Sequence, residues 1–167
     1  HILDTQTSNN VEITIACAVQ ALNIHYLPDF IQWKLEQGFK KINMWPFGAG
    51  GISQHFVYWP AHLNVKVLPQ WFKEKTREKY EAWYPWWEEN WELGVPSWHK
   101  GKIGYDQWRS AEYGIKRLNG ILNFMESEDW SRRLPEMHEF LSLCDKQRGI
   151  TFENTFPEMK GIFDANI

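Results

Sequence analysis

Val11-Glu12-Ile13-Thr14-Ile15-Ala16-Cys17-Ala18-Val19, then Leu27-Pro28-Asp29-Phe30-Ile31-Gln32-Trp33-Lys34-Leu35-Glu36-Gln37, then Phe39-Lys40-Lys41-Ile42-Asn43-Met44-Trp45 is the stretch on which the fold class turns. The first run is rich in β-branched residues. Val11, Ile13, Ile15, Cys17 and Val19 alternate with residues that are small or polar but mostly uncharged, which reads as a strand buried on both faces of a parallel sheet. Asn23 and Ile24 fall in a loop. Pro28 suits the first turn of a helix, because its fixed φ is already helical and its missing N–H has no partner there. That helix runs to about Gln37, with Leu27, Phe30, Ile31, Trp33 and Leu35 apolar and Gly38 as its C′ residue. Phe39–Trp45 reads as a second strand. Strand, helix, strand is a βαβ unit, whose parallel strands require a right-handed crossover and a covered sheet.

Further along, Gly48, Gly50 and Gly51 lie in the Pro46–Ser53 stretch. No third glycine at the right spacing and no helix follows, so this is a loop and not a G-x-G-x-x-G phosphate cradle. Phe56–Trp59 and Leu63–Leu68 read as short extended runs around Pro60. Pro69 opens a helix with Phe72, Thr76, Tyr80 and Trp83 on one stripe, and Pro85 is expected to interrupt it. Its interleaved Lys and Glu residues make a solvated face. Tyr105–Met125 carries Trp108, Ala111, Ile115, Leu118, Leu122 and Met125 at helical steps. Pro135 opens the last long helix, with Met137, Leu141 and Cys144 inward and Gly149 stopping it. The expected organisation is a βαβ unit with short strands over 1–68 and a helical region with an apolar tail over 69–167.

The chain has 167 residues, with 18 Lys+Arg against 21 Asp+Glu and a net charge of −3. That balance argues against nucleic-acid binding by bulk charge. No apolar run is long enough for a membrane helix. The polar opening stretch His1–Asn10 has neither the cationic nor the apolar region of a signal peptide. A cytoplasmic location is expected, and a chain that opens on His1 reads as a fragment of a longer reading frame.

Candidate chemistry is sparse. His1, His25, His55, His62, His99 and His138 are scattered, with no H-E-x-x-H and no zinc spacing, so structural or surface roles are expected. Cys17 and Cys144 are the only two cysteines, and both read as small buried hydrophobes. No G-x-S-x-G is present, and no pair of carboxylates is juxtaposed by sequence alone. No catalytic or metal-ligating residue is assigned. The 11 tryptophans are the compositional oddity. Trp83, Trp87 and Trp91 step by four. Burial in the core is the expectation, since Phe72 and Tyr80 continue the stripe. A platform for sugars or single-stranded nucleic acid, or an interface with a partner chain, is the alternative.

Read together, several segments resemble one family. Thr14–Ile24 with Tyr26-Leu27-Pro28 is similar to the fifth strand and following helix of radical S-adenosylmethionine (SAM) proteins. Lys41-Ile42-Asn43-Met44-Trp45-Pro46 resembles the sixth strand, and Tyr58–Pro69 the segment after the barrel in a twitch-domain group found in phage and bacterial genomes. Asp145, Arg148 and Phe156-Pro157-Glu158-Met159 match that group's terminal helix and ending. The resemblance covers about 11–160. It implies an α/β fold, with the C-terminal strands of a partial (β/α) barrel followed by an α-helical C-terminal region. It also implies a partner, the N-terminal half carrying C-x-x-x-C-x-x-C, whose three thiolates hold a [4Fe–4S] cluster that binds S-adenosylmethionine. The resemblance leaves the substrate unassigned, a peptide or protein being one candidate. Gln20, Asn23, Met44 and Trp45, at the ends of the two strands, are the residues expected to contact cofactor or substrate. With cysteines only at 17 and 144, this chain alone is expected to bind neither cluster nor cofactor and to be catalytically inert.

Overall fold

A computed structural model describes residues 15–39, 52–94 and 110–164. Strand β1 (Ile15–Val19) pairs in parallel with β2 (Ile52–Phe56), with Ile15 opposite Ile52 and Val19 opposite Phe56. Helix α1 (Leu27–Glu36) lies between them in the chain. Pro28 sits in its first turn and Gly38, at φ +62°, ends it, as the sequence predicts. The predicted strand Phe39–Trp45 lies outside the described residues after Phe39, as does 11–14 of the first one.

The partial (β/α) barrel is not what forms. Among the described residues there are two strands, and helices dominate the remainder. The physical reason is clearest at Leu63–Leu68. Its alternation suggests one face in and one face out, yet Asn64 through Leu68 are all buried. They fold as 3₁₀ turns, Ala61–Leu63 and Val65–Val67, and the Asn64 side chain caps the second by accepting from the Lys66 N–H at 3.0 Å. Capping of this kind offers the backbone an alternative to a strand ladder. Lys66 tolerates burial because its ammonium pairs with Glu128 and lies 4.4 Å from the Phe124 ring centroid. β1 also departs from expectation. Ile15, Cys17 and Val19 pack on the core, but Ala16 and Ala18 on the opposite face are exposed.

Helix α2 (Gln70–Asn90) continues through Pro85, where the sequence predicts an interruption. The N–H that proline lacks would have bonded the Glu81 carbonyl, on an exposed side where water can serve instead. On the other side, buried Trp83 and Trp87 anchor the helix across the proline. Helix α3 (Ala111–Glu126) starts at Ser110, whose hydroxyl accepts from the Tyr113 N–H at 3.0 Å. The predicted start at Tyr105, and Trp108, lie outside the described residues. Helix α4 (Leu134–Arg148) ends at Gly149 with φ +65°. The short helix α5 (Phe152–Thr155) is tied back by Asp145, which accepts from the Phe152 N–H at 2.7 Å.

One core joins these elements. Val19, Ile24 and Ile31 from the first part share it with Phe72, Tyr80, Leu118, Leu122 and Met125, and with Met159 and Ile162 of the tail. Each fully buried aliphatic or phenyl side chain contributes about 1.5–3 kcal/mol. Two contacts fix helix positions. The Tyr80 hydroxyl donates to the Ile24 carbonyl at 2.7 Å, and the Trp87 indole lies against Gly114 while donating to the Ala111 carbonyl at 2.9 Å.

Candidate functional site

The turn leaving β1 is built around one side chain. Asn23 accepts from the Gln20 N–H through Oδ1 at 2.9 Å, and its Nδ2 donates to the Ala18 carbonyl at 2.9 Å. A strand end that must reverse leaves backbone groups without ladder partners, and an amide side chain supplies both a donor and an acceptor. The Ala21 N–H donates to the Leu63 carbonyl at 2.9 Å and the Val57 N–H to the Val19 carbonyl at 2.9 Å, so the ends of both strands are held together.

Along β1 and the start of α1 lies a cavity of about 440 Å³, lined by Ile15, Ala16, Cys17, Ala18, Gln20, Asn23, Tyr26, Leu27 and Phe30. Its size suits a small ligand, and its walls are mainly apolar with a few polar groups, as in such sites generally. It also reaches the C-terminal end of a parallel strand, where α/β proteins place ligands. Burial pushes the Cys17 thiol pKa up, which disfavours the thiolate needed for nucleophilic or metal chemistry. Burial likewise raises the Tyr26 phenol, whose ring lies 5.2 Å from the Lys79 ammonium and 5.9 Å from the Phe156 ring. The cavity therefore offers stacking rings and a carboxamide, and among its described lining residues no group is poised as a base or nucleophile. It can bind and orient.

Of the four residues assigned from sequence, Gln20 and Asn23 meet at this cavity, while Met44 and Trp45 lie outside the described residues. Asn23 is engaged in holding the turn, which leaves Gln20 as the amide for a ligand. Among the described residues, no group of three or more His, Cys, Asp or Glu side chains could hold a metal ion. His25 is buried, 3.1 Å from the Thr76 hydroxyl, and burial first, then Lys79 and Lys75, lower its pKa to about 4, a structural role. Trp83 and Trp87 are buried and Trp91 is half-buried, as the stripe with Phe72 and Tyr80 predicts, so these rings form no exposed platform. The Trp83 indole donates to Gln32 at 3.0 Å.

Two features escape the sequence reading. Lys73, read as part of a solvated face, is buried and donates to the Glu128 carbonyl at 3.0 Å, and Lys34 is buried too, with desolvation lowering its pKa to about 7. Tyr58 and Trp59, just past the end of β2, are 63% and 84% exposed. No local pattern separates these rings from the buried ones. Among the described residues no helix is long and apolar enough to cross a membrane. No family model matches the chain, and no curated protein or solved structure matches it.

Proposed function

We propose that this chain is the C-terminal portion of a radical SAM enzyme and that it contributes one wall of the cavity for S-adenosylmethionine or substrate. The observation that carries this reading is the cavity at the end of β1, lined by Gln20 beside the Tyr26 and Phe30 rings. Supporting it is the order of the family-like segments, the first of which forms β1 in a parallel pair. The [4Fe–4S] cluster does not fit this chain, because two cysteines 127 positions apart (144 − 17) cannot supply three clustered thiolates. In this reading the cluster would be held by an upstream half of a longer chain. Toward the cofactor's nucleoside, the Gln20 amide would serve as a hydrogen-bonding group and the Tyr26 and Phe30 rings as apolar walls. Asn23 positions Gln20 by fixing its backbone.

The test is the coding sequence upstream of His1 and the product it encodes. A C-x-x-x-C-x-x-C there, iron and sulfide after anaerobic reconstitution, and weaker S-adenosylmethionine binding in Gln20→Ala are the expected results. An upstream sequence lacking the cysteine triad would sink the reading.

A further inference from the structure

A second groove, on the other strand, is independent of that reading. It lies between β2 and α3, has a volume of about 500 Å³, and is lined by Gln54, Phe56, Tyr113, Lys116, Arg117, Gly120 and Ile121. Three observations point the same way. The first is charge. Lys66, Lys75, Arg77, Lys79 and Arg133 are each paired with a carboxylate, whereas Lys116 and Arg117, like Arg132, Lys146, Arg148 and Lys160 elsewhere on the surface, form no ion pair among the described residues, and these two alone line the groove. Two adjacent cations with no ion pair among the described residues, in a chain of net charge −3, are a local positive field. The second is Gly120. Glycine within a helix weakens it relative to alanine, and a Cβ at Gly120 would meet nothing within 4 Å, so packing does not require it. Gly114, six residues earlier, is required by packing, because a Cβ there would collide with Trp87. At Gly120 the missing side chain leaves the groove open. The third is the wall. Phe56, Tyr113 and Ile121 are apolar or aromatic, and Phe56 is held by the Phe124 ring at 4.1 Å between centroids.

From this juxtaposition we propose that the groove binds a small aromatic anion, a flat ring carrying a phosphate or carboxylate. The ring would lie over the opening at Gly120 against Phe56 and Ile121, and the anionic group between Lys116 and Arg117. Residues 113, 116, 117 and 120 share one face of α3, spaced by three and four, so a single ligand can touch them all. Arg117 supplies a planar fork for two oxygens and Lys116 a point charge.

Calorimetric titration of the purified chain tests this with two probes, adenosine 5′-monophosphate and indole-3-acetate, against adenosine and inorganic phosphate. Saturable binding of at least one aromatic anion is expected, and which one binds tells phosphate from carboxylate. Adenosine and phosphate should bind at least about tenfold more weakly, as should the aromatic anion to the Lys116→Met, Arg117→Met double variant. Added salt should weaken binding, and Gly120→Leu should weaken it without lowering the urea midpoint. The proposal is overturned if neither anion saturates at millimolar concentration. It is equally overturned if adenosine or phosphate alone binds as well as the aromatic anion, or if the double variant retains full affinity.

Discussion

Replacing Gly114 by alanine tests the packing of α2 on α3, because local and tertiary physics disagree about its sign. Alanine is favoured over glycine in a helix interior by about 1 kcal/mol. If α3 were judged alone, the substitution should stabilise it. In the folded chain a new Cβ would stand 2.6 Å from Trp87 Cε2 and 2.8 Å from Nε1. Carbon atoms in contact prefer about 3.5–4.0 Å, so the indole must retreat by roughly 1 Å. Overpacking of this kind costs about 1–3 kcal/mol. The retreat also strains the indole hydrogen bond to the Ala111 carbonyl, 2.9 Å long in the wild type, with about 1 kcal/mol at stake. Against the propensity gain, the net is a loss of about 1–3 kcal/mol. Gly120→Ala on the same helix is the internal control. With nothing within 4 Å of its Cβ position, it should gain about 0.5–1 kcal/mol. Urea unfolding followed by tryptophan fluorescence and circular dichroism, fitted by linear extrapolation, gives both values. A Gly114→Ala variant as stable as the wild type would refute the close approach of Trp87.

Two further outcomes concern buried titratable groups. Lys34 falls from its ordinary 10.5 to about 7 by burial, a difference equivalent to about 5 kcal/mol. The unfolded chain binds that proton up to about pH 10.5 and the folded chain only to about 7, so stability should rise with pH across this window. Lys34→Met should flatten that limb and raise stability at pH 7 by a few kcal/mol; a destabilised variant would refute desolvation as the dominant effect at this position. His25, lowered from 6.5 to about 4, works in the same direction at lower pH. Its contribution is intact above about 6.5, and stability should fall as pH drops towards 4, by up to about 3 kcal/mol. Proton NMR of the folded chain should show no titration of His25 above pH 5, and a normal midpoint near 6.5 would count against its burial against Thr76 and Phe72.

What the sequence by itself determined is local. Pro28 and Gly38 bound α1, Gly149 closes α4, and the β-branched run ending at Val19 forms a strand, because these signals act through φ, capping and side-chain entropy within a few residues. The stripe of Phe72, Tyr80, Trp83 and Trp87 is legible for the same reason, since helical spacing alone puts those rings on one face. The tertiary structure decided the rest. Leu63–Leu68 alternates like a strand yet forms 3₁₀ turns, because Glu128 and Phe124, distant in sequence, receive Lys66 and make burial of both sets of side chains affordable. Pro85 does not break α2, because anchoring of Trp83 and Trp87 on either side outweighs one lost hydrogen bond at an exposed carbonyl. At the candidate site the loop containing Gln20 and Asn23 could be read from the chain. The division of labour between them, with Asn23 holding the turn and Gln20 lining the cavity, depends on hydrogen bonds that only the folded backbone supplies. The groove at Gly120 was illegible for a related reason. Two neighbouring cations and a glycine on a helix look like an ordinary solvated face until β2 brings Phe56 and Gln54 across from them.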